Sequence, residues 1–222
     1  MITQPDYETA AVKALEVLID RKIKDTPVFA LPILKNYPGV RIMSFAEIAS
    51  MEQIDRNDLI SMFGRNQDVA TFHLKEQIDD VKYVVIYNMQ MTYETVRRAA
   101  ARELGHIVLC HNGQERTADV RIAEAMAFCF HLICPRPVIH MLQESGIELN
   151  MDVLKETIGC AEECVEGMRV IPGVRTPPEL NAKVRDLFAP HIQEYIRFYT
   201  EFPKKSVSKI VDLGTFMDGY EE

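Results

Sequence analysis

The chain has 222 residues, 47% apolar and 26% charged, an ordinary globular composition that is long enough to bury a real core. A formal net charge of −8 argues against a nucleic-acid-binding surface, which needs a basic stripe. No apolar run comes near the ~20 residues that span a bilayer, and residues 1–8 lack the basic and apolar regions of a signal peptide. The expectation is a cytoplasmic protein with no membrane and no direct nucleic-acid partner.

Residues 6–24 read as a first amphipathic helix. Ala10, Val12, Leu15, Val17 and Leu18 recur near the helical period, and Pro5-Asp6 supplies a turn and a cap. A short helix after Phe29 is stopped by Asn36-Tyr37-Pro38-Gly39. Val40-Arg41-Ile42-Met43-Ser44 alternates and predicts a first strand. Residues 45–63 are helical in pattern, with a short helix expected to start at Asp55-Arg56-Asn57-Asp58 and end at Gly64. Residues 68–74 and 81–87, separated by a six-residue polar link, predict an antiparallel hairpin in a sheet of about three strands. His73 falls in this strand pattern and reads as structural.

Thr92 is the expected N-cap of the next helix, with Glu94 near the positive end of its dipole. Residues 96–111 read as one helix, and residues 123–134 as another that Pro135-Arg136-Pro137 ends. Short helices follow over 138–144, 151–158 and 161–169, the last two parted by Gly159. Ile171-Pro172-Gly173 and Thr176-Pro177-Pro178 bound a linker, dividing a domain over 1–175 from a helical extension over 176–222. In that extension helical spacing runs from Leu180 to Tyr199, with Pro190 expected to kink or split it, and residues 212–222 form an acidic, loose tail. This aromatic-rich helix is available to pack on the domain or to pair with a second subunit. The fold class is α+β and mostly helical.

Chemistry concentrates in Arg102-Glu103-Leu104-Gly105-His106, one residue short of the H-E-x-x-H zinc-peptidase signature. In that signature two His four apart on one helical face bind Zn²⁺, and the Glu polarises a metal-bound water. Here Glu103 and His106 stand in place and Arg102 occupies the position of the first His. Downstream runs Glu124-Ala125-Met126-Ala127-Phe128-Cys129-Phe130-His131-Leu132-Ile133-Cys134-Pro135. These two motifs, in this order, resemble the ImmA/IrrE-type metallopeptidase family, with A-H-E-L-G-H followed by E-A-x-x-F-A-x-x-L-L-x-P. The likeness covers roughly residues 80–135.

The resemblance implies a zincin-like domain whose small sheet packs on the motif helix. It also implies a zinc cofactor, Glu103 as general base, and His106 and Glu124 as metal ligands. The substrate it implies is a protein, often the transcriptional repressor of a bacterial mobile element or phage. Arginine has no lone pair to give a metal, and two matching ligands remain where a catalytic zinc site has three. The expectation is therefore a retained fold and a weakened or lost hydrolysis, with Arg102 paired to Glu103 or Glu124. Zinc would then be absent or weakly held, and the groove would bind a protein or peptide partner. Two rescues stay open. Cys110 lies four residues after His106, although core burial is its expected use. His131 lies seven after Glu124 on the same face and is a further metal candidate. An active zinc endopeptidase with a modified site, and a purely helical interaction module, are the alternatives.

The other cysteines, Cys129, Cys134, Cys160 and Cys164, lie among apolar neighbours and read as reduced core thiols. Cys160-x-x-x-Cys164 could share a helical face, but with no His or second pair beside it a metal site is not expected there.

Overall fold

A computed structural model describes residues 2–52, 55, 58, 69–88, 91–112, 115–171 and 174–202. All but residues 55 and 58 of the short helix expected from residue 55 to Gly64, together with the Pro172-Gly173 link and the acidic tail over 212–222, lie outside the described residues. The chain divides into two compact units, residues 29–114 and residues 1–28 with 115–222.

The unit over 29–114 holds α1 (Ala30–Lys35), β1 (Val40–Ser44), α2 (Phe45–Glu52), β2 (Val69–Ile78), β3 (Val81–Tyr87) and α3 (Tyr93–Val108). Its sheet has the order β1-β3-β2, with β1 parallel and β2 antiparallel to the central β3. The Gly39 carbonyl accepts from the Lys82 and Tyr83 amides at 2.8 and 2.9 Å, and this sets the register of β1 on β3. Gly39 adopts φ +73°, a conformation that costs a side chain energy. Central β3 buries Tyr83, Val85 and Ile86, and α3 packs on β2 and β3. The sheet thus backs the motif helix.

The expected six-residue link is shorter. β2 continues to Ile78, and the turn is Asp79-Asp80 with φ of +49° and +63°. Two positive φ values are what a two-residue hairpin turn of matching twist requires. The charged run Lys75-Glu76-Gln77 misled because β2 is an edge strand, exposed on both faces there.

The second unit is helical: α4 (Tyr7–Asp20), which precedes the first unit in the chain, then α5 (Ala118–Ile133), α6 (Arg136–Glu144), α7 (Met151–Thr157), α8 (Glu162–Val170) and α9 (Pro178–Glu201). Asp6 caps α4 by accepting the Thr9 amide at 2.9 Å. The helix ends at Asp20 rather than near 24. Lys22 turns left-handed at φ +52°, and the amides of Lys22 and Ile23 return to the carbonyls of Ile19 and Leu18. That closure satisfies end carbonyls which a longer helix would otherwise satisfy. α4 buries Ala10, Ala11, Ala14, Leu15 and Leu18, and packs on α5 and α9.

α9 runs unbroken for 24 residues with Pro190 inside it, so the expected split does not occur. Phe188 and Ile192 flank the proline and are fully buried. Their packing outweighs the roughly 3 kcal/mol that an interior proline costs.

The expectation about apolar runs also needs correction. Residues Ala118–Glu144, spanning α5 and α6, contain an 18-residue window of mean hydropathy 1.4. That window is 83% buried inside the protein, so its apolar character is core character.

Candidate functional site

α3 starts where Thr92 accepts the Thr95 amide, as its residue type suggested. It does not reach residue 111. Leu109 is the C-cap, Cys110 is left-handed at φ +55°, and the amides of Cys110 and His111 return to the carbonyls of Ile107 and His106. This is the same closure that ends α4. Two consequences follow. Cys110 is exposed rather than part of the core, because the left-handed turn carries it off the helix. And His111 folds back over the last turn, bringing its Nδ1 to 3.0 Å from Nδ1 of His106. One of these nitrogens donates and the other accepts.

Arg102 and Glu103 meet. Nε and Nη2 of Arg102 donate to Oε1 of Glu103 at 3.1 and 2.8 Å. Adjacent helical residues do not face one another, so the arginine must curl around the helix to reach its neighbour. Glu103 is buried and Arg102 about a third exposed, which places the guanidinium between the carboxylate and water.

Glu124, on α5, belongs to the other unit. Its carboxylate is buried; Oε1 accepts from the Asp6 amide at 2.9 Å and from Nε of Arg116 at 3.4 Å, and the same Nε lies 3.1 Å from Oε2 in an ion pair. Ile2 forms a parallel bridge with Arg116, and its amide donates to the Glu115 carbonyl at 2.7 Å. Glu124 therefore ties the first residues of the chain to the start of α5. Neither Arg116 nor His111 was singled out from the sequence. Both sit outside the two motifs, and only the turns that carry them bring them to their partners.

His131 is buried on α5. Its Nδ1 lies 2.8 Å from the Ala127 carbonyl, to which a neutral ring donates, while Nε2 has no hydrogen-bond partner among the described residues. Burial first, and then the Arg136 charge, push its pKa down to about 4. The ring is a neutral imidazole at pH 7. His73 keeps a structural setting, with its ring 5.3 Å from that of Tyr83 and its Nε2 3.3 Å from the Asn112 side chain.

A set of donors that the sequence reading set aside comes together elsewhere. Cys134 at the end of α5, Cys160 before α8 and Cys164 in its first turn place their sulfur atoms within 4.8 Å of one another, close enough to hold one metal ion. Spacing alone exposed the Cys160–Cys164 pair, whereas Cys134 arrives by tertiary packing.

A scan against protein-family models finds no match to this chain, and comparison with curated proteins and with solved structures finds none either.

Proposed function

We propose that this chain is a catalytically degenerate relative of the ImmA/IrrE-type metallopeptidases, built on a zincin-like domain. It binds a protein partner, such as a transcriptional repressor, without cutting it. The observation that carries this reading is that each acid of the expected catalytic pair is held by an arginine, Glu103 by Arg102 and Glu124 by Arg116. A general base must take a proton, and a metal ligand must give a lone pair. A guanidinium bonded to the carboxylate occupies an oxygen that a metal or its bound water would need, and its permanent charge repels the cation.

Arg102→His tests this. The exchange frees Glu103 and restores two imidazoles four apart on α3. The variant is expected to take up one zinc ion more than the parent chain in an equilibrium titration, and a further His106→Ala change should abolish that extra ion. A folded Arg102→His variant with no additional zinc would remove the reading of a lapsed zinc site.

A second reading, an active zinc endopeptidase with a modified site, is favoured by the His106–His111 pair, which brings two imidazoles together without residue 102. It requires zinc-dependent hydrolysis of an unfolded protein substrate that disappears in His111→Ala. Chain cleavage that survives both metal chelation and that substitution would dismiss it.

A further inference from the structure

Three sulfur atoms from two distant stretches of the chain meet inside the helical unit. Cys134 follows the last turn of α5, Cys160 lies in the link between α7 and α8, and Cys164 sits in the first turn of α8. Cys134 and Cys160 are fully buried, and Cys164 is 2% exposed. All three sulfurs lie within 4.8 Å of one another. None of the three is half of a disulfide.

The backbone holds this trio in place by two devices. Gly159 adopts φ +70°, so the chain leaves α7 through a left-handed residue and delivers Cys160 beside the start of α8. Further along α8, Gly167 lies so close to α5 that a Cβ there would stand 2.2 Å from the Phe130 ring. Only a residue without a side chain permits that approach. It holds α8 against the helix that ends at Cys134. Convergence of two chain segments distant in sequence, fixed by two glycines, is more than a scatter of small apolar residues in a core needs.

We propose that Cys134, Cys160 and Cys164 form a binding site for one soft, thiophilic d¹⁰ metal ion, held by three thiolates. The donor set contains sulfur alone, and thiolates select zinc or copper(I) over hard ions such as magnesium or calcium. Copper(I) is served by three sulfurs. Zinc would use the same three with a small fourth ligand from solution. Binding balances as three thiols and one cation giving a tris-thiolate complex and three released protons. No oxidation takes place. A thiol must lose its proton to ligate a metal, so each ion bound displaces three protons. Affinity should therefore rise with pH. Cys160 and Cys164 also lie at the N-terminal end of α8, whose dipole favours the negative charge that develops.

This site is independent of the Arg102–Glu103 motif, and its test reads sulfur. The whole reduced chain is titrated anaerobically with zinc and, separately, with copper(I) buffered by a chromophoric chelator. One equivalent of either ion per chain is expected at the trio, with three sulfur neighbours seen by X-ray absorption on the unsubstituted protein. Cys160→Ala and Cys164→Ala should each weaken binding about 100-fold or more, beyond the 10–100-fold typical of losing an outer-shell partner. Cys110→Ser and Cys129→Ala should leave it unchanged. Tight zinc without copper(I), or the reverse, identifies which ion the trio takes. Failure of both ions to bind, or a bound ion with fewer than three sulfur neighbours, would overturn the proposal, and the absorption measurement decides this even where a variant does not fold.

Discussion

Both motif acids of this chain are paired with an arginine, Glu103 with Arg102 and Glu124 with Arg116. Residue type alone announced half of this, because an arginine in place of a metal-binding histidine has to find an acid. The partner of Glu124 was not legible, since Arg116 reaches it only after the chain has turned into α5. His131 shows what burial does to a single group. Its folded pKa of about 4 lies below the usual 6.5, so between these values the unfolded chain binds more protons than the folded one. Stability from this residue is intact above pH 6.5 and falls as the pH drops toward 4. A shift of this size corresponds to roughly 3 kcal/mol. Urea unfolding at pH 7 and pH 5 should show the parent chain losing more stability than His131→Gln. Equal losses in the two proteins would mean that the ring is hydrated in the folded state.

At the scale of elements, the starts of α4 and α3 were readable and their ends were not, whereas α5 ends where expected but starts early, at Ala118 capped by Thr117 rather than at residue 123. Asp6 and Thr92 cap where their side chains suggest. The ends at Asp20 and Val108 are closed by Lys22 and Cys110 in left-handed conformations, where glycine is the usual signal. Without that glycine α3 read on to residue 111, and the His106–His111 pair stayed hidden. Gly167 marks an element contact that the sequence could not announce, since its reason is a ring on another helix. Gly167→Ala should cost about 1–3 kcal/mol through overpacking, despite the better helix propensity of alanine. Chemical denaturation should report that loss, and Phe130→Leu in the same chain should recover part of it. An Ala variant as stable as the parent would mean that the ring moves aside freely.

At the scale of the whole molecule, the extension expected after residue 175 supplies a helix to the unit that begins with α4. α9 packs on α6 and α4, and buries Val184, Phe188 and Ile192 completely. Polar ties add to this packing. Arg185 bonds Glu144, Tyr199 donates to Glu156 at 2.6 Å, and His191 lies 3.0 Å from the Thr26 hydroxyl. Burial of three such side chains is worth about 6 kcal/mol, comparable to the entire stability of many domains. A chain cut after residue 176 should therefore lose hydrogen-exchange protection in α4 and α6. Protection kept in both helices would show that α9 is dispensable to their packing.

The amino-acid sequence by itself determined the α+β class, the first strand, the hairpin and most helices, because periodicity and caps are local properties of neighbouring residues. It also determined the altered motif, since an arginine is cationic wherever the chain puts it. The return of His111 onto His106 and the arrival of Cys134 beside Cys160 and Cys164 were decided only by tertiary structure. Each depends on residues distant in sequence or on a turn whose usual glycine is missing, and no periodic pattern records such an encounter.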